Sequence, residues 1–259
     1  MPSRLGLSVA GLDFNFSFVS RSFAGAMARR YSSFRSGRAA PPFEVMTGGP
    51  ARPPFSPRVI HGPVIRGRRG DFDFSFDAVS GRGRAAVSPR AQSFDSFLRT
   101  LCSAVLNESD GALVHACGLA IGGRAHVFIG RSGAGKSTLA RLAAAAGVEV
   151  ISDEIVPLRR ERDRFFSYGS PFWGEMRSAG RPLRLPLAGI YSLRKSRSNS
   201  LGPGVPCGFV PLFLRCCLNF SKEPAAAAGL LETVARAGRF YKGELFFSKK
   251  DSSFLALLK

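Results

Sequence analysis

Acidic side chains are scarce in this chain. Asp and Glu number 18 against 37 Lys and Arg, a formal charge of +19 at pH 7, and the first 70 residues hold only Asp13 and Glu44. Such an imbalance favours polyanionic partners, from nucleotides and nucleic acid to acidic proteins and anionic surfaces. Lysine is scarce as well, since only seven of the basic residues are Lys, and an Arg-biased solvated surface explains the charge equally well. No RNA-binding motif or basic heptad helix accompanies it, which argues against nucleic acid. Long apolar runs are missing too. None approaches 18 residues, so no membrane span is expected; the unpaired cysteines make the cytoplasm the expected location. The five cysteines, Cys102, Cys117, Cys207, Cys216 and Cys217, contain no C-x-x-C pair, which excludes a zinc ribbon and fits reduced, buried thiols.

What the chain does have is a globular composition. Hydrophobic residues make up 45% of 259, with 23 Phe among them, enough for one large α/β domain or a domain with a smaller appendage. Residues 1–90 are rich in Arg, Ser, Gly and Pro, yet Leu12–Phe18 and Asp71–Phe76 alternate with period two and put their Phe side chains on one face. They are expected to be half-buried strands of an N-terminal β-rich portion, with looser segments near Pro41-Pro42 and Pro53-Pro54. From Phe94 the period becomes helical, through Phe97, Leu98, Leu101, Cys102 and Val105, and the helix is expected to stop before the turn-rich run beginning at Asn107. Residues 91–259 are therefore expected to form the second domain. Strands follow at Leu113–Ile121 and Ala125–Ile129, joined by Gly122-Gly123 as a tight hairpin turn. Farther on, the pattern gives a strand at 190–193, an Ala-rich helix at 224–237 and a strand near 244–247.

The segment Gly130-Arg131-Ser132-Gly133-Ala134-Gly135-Lys136-Ser137 satisfies G-x-x-x-x-G-K-[ST], with Thr138 next. Its glycines let the backbone curl around phosphate oxygens, Lys136 meets the β and γ phosphates, and the Ser137 hydroxyl is placed to ligate Mg²⁺. The apolar strand before it and the amphipathic helix after it, through Leu139, Leu142, Ala143 and Ala146 to Gly147, supply the context that the motif needs. ATP with Mg²⁺ is the expected ligand. A short strand at 148–151 then ends in Ser152-Asp153-Glu154. Carboxylates at the carboxyl end of such a strand are expected to face the phosphates, which places Asp153 and Glu154 near the loop's Mg²⁺, Glu154 as a candidate metal ligand; a solvated turn or helix cap is the plainer reading of both. His115, flanked by Val114 and Ala116, reads on its own as a core histidine.

The spacing of these residues resembles the catalytic domain of HPr kinase/phosphorylase, which is related to phosphoenolpyruvate carboxykinases. That family carries a His fifteen residues before the first loop glycine and a catalytic Asp twenty-three after it; His115 and Asp153 stand at those distances from Gly130. The resemblance implies a P-loop nucleoside triphosphate hydrolase-like α/β core with the β-rich N-terminal extension added. It further implies that Asp153 takes the proton from a seryl hydroxyl attacking the γ phosphate, with His115 tuning that carboxylate. The match covers about Gly111 to Glu154. It departs at Glu154, where the family has a second Asp, and at Thr138, where it has Glu. The family's downstream signature is missing, so HPr as substrate and phosphorylase activity do not follow. Tyr168–Glu175 instead looks like HPr-kinase-related proteins associated with peptide modification, which suggests a small protein or peptide acceptor. Trp173 and Glu175 are candidates for the acceptor or metal side, a buried Trp beside a surface Glu being the simpler reading. Arg177, Arg181, Arg184 and Arg194 are candidate phosphate clamps or plain surface charge. The sequence thus leads to an ATP-dependent serine kinase, against a non-catalytic nucleotide-sensing module and a nucleic-acid-associated NTPase. It leaves homo-oligomerisation open.

Overall fold

Phenylalanines that recur at every second residue of a strand must all point to one face, and here that face builds a core. The computed structural model describes residues 3–49, 51–177, 180–204 and 206–258. Two compact units divide them. One holds residues up to Glu108 together with 219–228, the other 109–218 and 229 onward.

In the first unit, β1 (Ser3–Val9), β2 (Leu12–Phe18), α1 (Arg21–Arg30), β3 (Pro42–Thr47), β4 (Arg58–Ile60), β5 (Val64–Arg69), β6 (Phe72–Asp77), β7 (Gly83–Val87) and α2 (Ala91–Glu108) follow in order. The seven strands form one mixed sheet, ordered β1-β2-β3-β7-β6-β5-β4, with β3 parallel to both β2 and β7. Phe14, Phe16 and Phe18 from β2 and Phe72, Phe74 and Phe76 from β6 all turn inward. Helix α2 lays Phe94 and Phe97 among them, with ring centroids 5.5 Å apart for Phe16–Phe94 and 5.7 Å for Phe43–Phe97. Edge-to-face pairs of this kind add about 0.5–1.5 kcal/mol each beyond their buried area. Because that stripe packs on the first sheet, α2 belongs to the first unit and the chain divides after Glu108, not at residue 90. The helix also runs on through Asn107, and Pro42 opens a strand where a looser segment was expected.

The second unit contains β8 (Gly111–Ile121), β9 (Arg124–Ile129), α3 (Lys136–Ala145), β10 (Glu149–Ser152), β11 (Ile155–Glu161), β12 (Arg164–Tyr168), β13 (Arg184–Lys195), β14 (Ser200–Gly202), α4 (Pro206–Cys216) and β15 (Tyr241–Phe247). Helix α5 (Pro224–Ala237) contributes Leu230, Val234 and Ala237 to its core. Gly122 and Gly123 join β8 to β9 at φ 56° and 71°, the doubly positive turn whose twist suits a two-residue hairpin. The sheet is again mixed. β8 is antiparallel to β9, β10 and β11, whereas β13 lies parallel to β9 and β15. Leu139, Ala140 and Ala143 of α3 pack on Cys117, Leu119 and Phe128 on one face of the sheet. Phe209 and Phe213 of α4 close another cluster against Val127 and Ile190. The fold is thus α/β with two mixed sheets. Among the described residues no helix is long and apolar enough to cross a membrane.

Candidate functional site

Strand direction assembles the site. β9 runs parallel to β13 and β13 parallel to β15, while β10 and β9 flank β8 antiparallel to it and so share a direction. The carboxyl ends of these four strands therefore meet at one edge of the sheet, the position where open α/β folds gather ligands. Leaving that edge are the glycine loop from β9, Asp153 and Glu154 from β10, Lys195 and Ser196 from β13, and Phe247 and Lys249 from β15. They line a cleft of about 790 Å³.

The loop enters α3 through Gly135 at φ 108°, after Gly133 at φ 76°. Both values lie in the region that glycine alone adopts without strain. Gly130 is closely packed, because a Cβ there would fall 2.9 Å from the Ala134 side chain. Lys136 is buried, and its Nζ donates to the carbonyls of Gly130 at 2.9 Å and Arg131 at 3.3 Å. Cys216 Sγ donates to the same Gly130 carbonyl at 3.8 Å. No carboxylate pairs with this ammonium among the described residues, and burial pulls its pKa below the ordinary lysine value. A buried cation held by carbonyls alone is short of negative charge, and a phosphate would supply it. Ser132, Gly133, Gly135, Ser137 and Thr138 line the cleft with Lys136, whereas Gly130, Arg131 and Ala134 shape the loop behind them.

Asp153 is buried at 6% exposure, yet it lines the same cleft. Its Oδ2 accepts from Met176 N at 3.0 Å, and Gly174 lies so close that a Cβ there would stand 2.3 Å from Oδ1. The carboxylate is thus fixed from the side of residues 174–176. A register shift between Val150 and Ser152 turns the end of β10, after which Ile155 stands opposite His115 and the Ala116 amide donates to the Glu154 carbonyl. Cys117, two residues beyond His115, faces α3, and the period of a strand puts His115 on that same face. His115 is exposed and lines the cleft with Asp153 and Glu154. The core-histidine reading of His115 therefore fails, as does the reading of Asp153 as a solvated turn.

Trp173 is 41% exposed and so is not buried, while Glu175 lines the cleft and reaches Arg141 at 3.5 Å. The candidate phosphate clamps Arg181, Arg184 and Arg194 are occupied by Glu149, Glu161 and Glu244 respectively. The sequence reading missed Lys195, Ser196, Phe247 and Lys249, whose convergence depends on parallel pairing between distant strands. Of the cysteines, Cys102, Cys117, Cys216 and Cys217 are free. Among the described residues no group of three or more His, Cys, Asp and Glu side chains could hold a metal ion. Ser137 with Asp153 and Glu154 in one cleft is a sparse oxygen set, of the kind magnesium accepts when phosphates and water complete its shell.

No family model matches the chain, and no curated protein matches it. Among solved structures, the Hpr(Ser) kinase/phosphatase from Coxiella burnetii is similar over 49% of this chain and 95% of its own, with 15% identity and a TM-score of 0.27. A likeness that weak carries no argument about chemistry, and the functional reading stands on the geometry of the cleft.

Proposed function

We propose that the second unit is a P-loop phosphotransferase, an HPr kinase-like ATP-dependent kinase that acts on a serine of a small protein or peptide. One observation carries the reading. A single cleft gathers a glycine loop with a buried lysine that no carboxylate pairs among the described residues, a hydroxyl at the start of α3, a fixed carboxylate and a histidine.

Phosphoryl transfer asks mainly for positioning, charge neutralisation and a base. The loop and Lys136 hold the β and γ phosphates, with the N-terminal end of α3 adding its dipole. Ser137 and Glu154 are the residues that would hold Mg²⁺, which when bound neutralises charge on the phosphate oxygens. Asp153 accepts the proton of the acceptor hydroxyl as that oxygen bonds to the γ phosphorus. The bond from γ phosphorus to the bridging oxygen breaks, and ADP leaves. His115, which lines the same cleft, tunes the Asp153 carboxylate. The same cleft would serve a sensing module that binds without transfer, but such a module has no use for a fixed base.

The test uses labelled ATP, Mg²⁺ and candidate acceptor peptides with the purified chain. Label should appear on serine, and Asp153→Asn should abolish it while nucleotide binding persists. Undiminished labelling in that variant removes Asp153 as the base, and binding without labelling of any acceptor leaves the sensing module.

A further inference from the structure

The first unit carries a second large cleft, of about 820 Å³, on the face of its sheet turned away from the phenylalanine core. Alternation along the strands decides what reaches it. Val59, Ile65, Phe74 and Ala85 turn inward, so their neighbours Arg58, Arg66, Arg68 and Arg84 turn outward. Arg58 stands opposite Arg68, and a row across the sheet runs Arg66, Ser75, Arg84. Like charges on directly opposed residues repel. Two carboxylates stand opposite these arginines, Asp73 across from Arg68 and Glu44 across from Arg84, yet among the described residues none of the four arginines forms an ion pair. Arg84 donates to Ser75 Oγ at 3.3 Å.

Residues 219–223 build the wall of this cleft. The Val59 amide donates to the Phe220 carbonyl at 2.9 Å and the His61 amide to Glu223 Oε2 at 2.8 Å, which covers the edge of β4 and sets Lys222 beside the arginines. With Glu223 engaged in this way, the lining offers five cations and one uncommitted carboxylate, Asp73. Exposed apolar surface lies among them. Met46 is 51% and Ile60 60% exposed, and both are aliphatic. Single-stranded nucleic acid is held by exposed aromatic rings on which bases stack, and of the aromatics lining this cleft Phe74 is buried and Phe220 half-buried. Arginine forks separated by aliphatic side chains suit carboxylates and branched apolar groups in alternation.

We propose that this face docks an acidic segment of a partner protein, bound extended, with its carboxylates on Arg58, Arg66, Arg68 and Arg84 and its aliphatic side chains against Met46 and Ile60. The proposal concerns the first unit alone and is independent of nucleotide.

The experiment measures fluorescence anisotropy of a dye-labelled twelve-residue peptide of alternating Glu and Leu with the full chain at low salt. Binding is expected, falling as salt rises, while a Lys-Leu peptide stays free. Arg66→Glu with Arg84→Glu should weaken the Glu-Leu peptide at least tenfold. Arg21→Glu with Arg29→Glu, an equal charge change on the exposed side of α1, should stay within twofold. Arg66→Gln with Arg84→Gln, which adds no repulsion, must weaken binding in the same direction, so that a misfolded reversal variant cannot decide the outcome. Unchanged affinity in the Gln variant overturns the proposal, as does an equal loss in the α1 control. A twelve-nucleotide oligouridylate that binds as tightly as the peptide and depends on the same arginines also overturns it, in favour of a nucleic-acid face.

Discussion

At the scale of single residues, the site depends on Gly174 as much as on the carboxylate it touches. A methyl group there would stand 2.3 Å from Asp153 Oδ1, while the Met176 amide holds Oδ2 at 3.0 Å. The carboxylate cannot yield without losing that amide. Gly174→Ala is therefore expected to lower kcat on the order of 10²-fold, the loss that a displacement of about 1 Å can cause, with nucleotide affinity nearly unchanged; steady-state kinetics beside nucleotide titration separates the two. His126 gives a second residue-scale expectation. Burial, helped by Arg124 and Lys242, holds its pKa below the ordinary value, and its ring sits 3.2 Å from the Tyr191 hydroxyl. The unfolded chain then binds a proton that the folded chain resists, so stability present above about pH 6.5, the unfolded value, is lost as pH falls through the lower folded value. Melting temperature followed against pH should drop on that acid limb, and His126→Gln should flatten it. Gly174 and His126 illustrate what residue types alone conceal. The importance of one rests on the neighbour that its missing side chain admits, and that of the other on burial by strands far away in sequence.

At the scale of elements, the period of the Phe residues made β2 and β6 legible, because a half-buried strand can bury its rings in one way only. The hairpin at Gly122-Gly123 and the strand–loop–helix around Gly130 were equally local. His115 and Asp153 were singled out through fixed distances along the chain, and they line one cleft because β8 carries His115, β10 ends just before Asp153, and β11 starts with Ile155 opposite His115. Lys195 and Lys249 were not legible, since only the parallel pairing of β13 with β9 and β15 brings them to the loop. The glycines facing phenylalanines belong to this scale too. Gly83 pairs with Phe43 across β3 and β7, and a Cβ there would fall 2.3 Å from the ring. That ring is confined by Phe16 and Phe97. Gly83→Ala is expected to destabilise the first unit by about 1–3 kcal/mol, the usual cost of overpacking a fitted core, as read by urea unfolding. Gly37→Ala, where nothing lies within 4 Å of the added carbon, should change little.

At the scale of the whole molecule, the chain has two compact units, and a ligand that binds one of them stabilises that one first. A nucleotide at one hundred times its Kd adds about 2.7 kcal/mol to the stability of the state that binds it. If the glycine loop holds Mg-ATP, the gain belongs to the elements that converge on the cleft: the loop and α3, the end of β10, residues 174–176, and the ends of β13 and β15. Amide hydrogen exchange resolves such regions because local openings differ in free energy along one chain. Added Mg-ATP should slow exchange across 130–138, 152–154 and 174–176 and leave β5, β6 and β7 unaltered. Lys136→Ala should erase the slowing, because a charge-assisted phosphate contact contributes about 1.5–3 kcal/mol and none of the other cations lining the cleft comes from the loop itself. Protection confined to the first unit would instead place the nucleotide on the arginine face, and the cleft of the second unit would lose its claim to it.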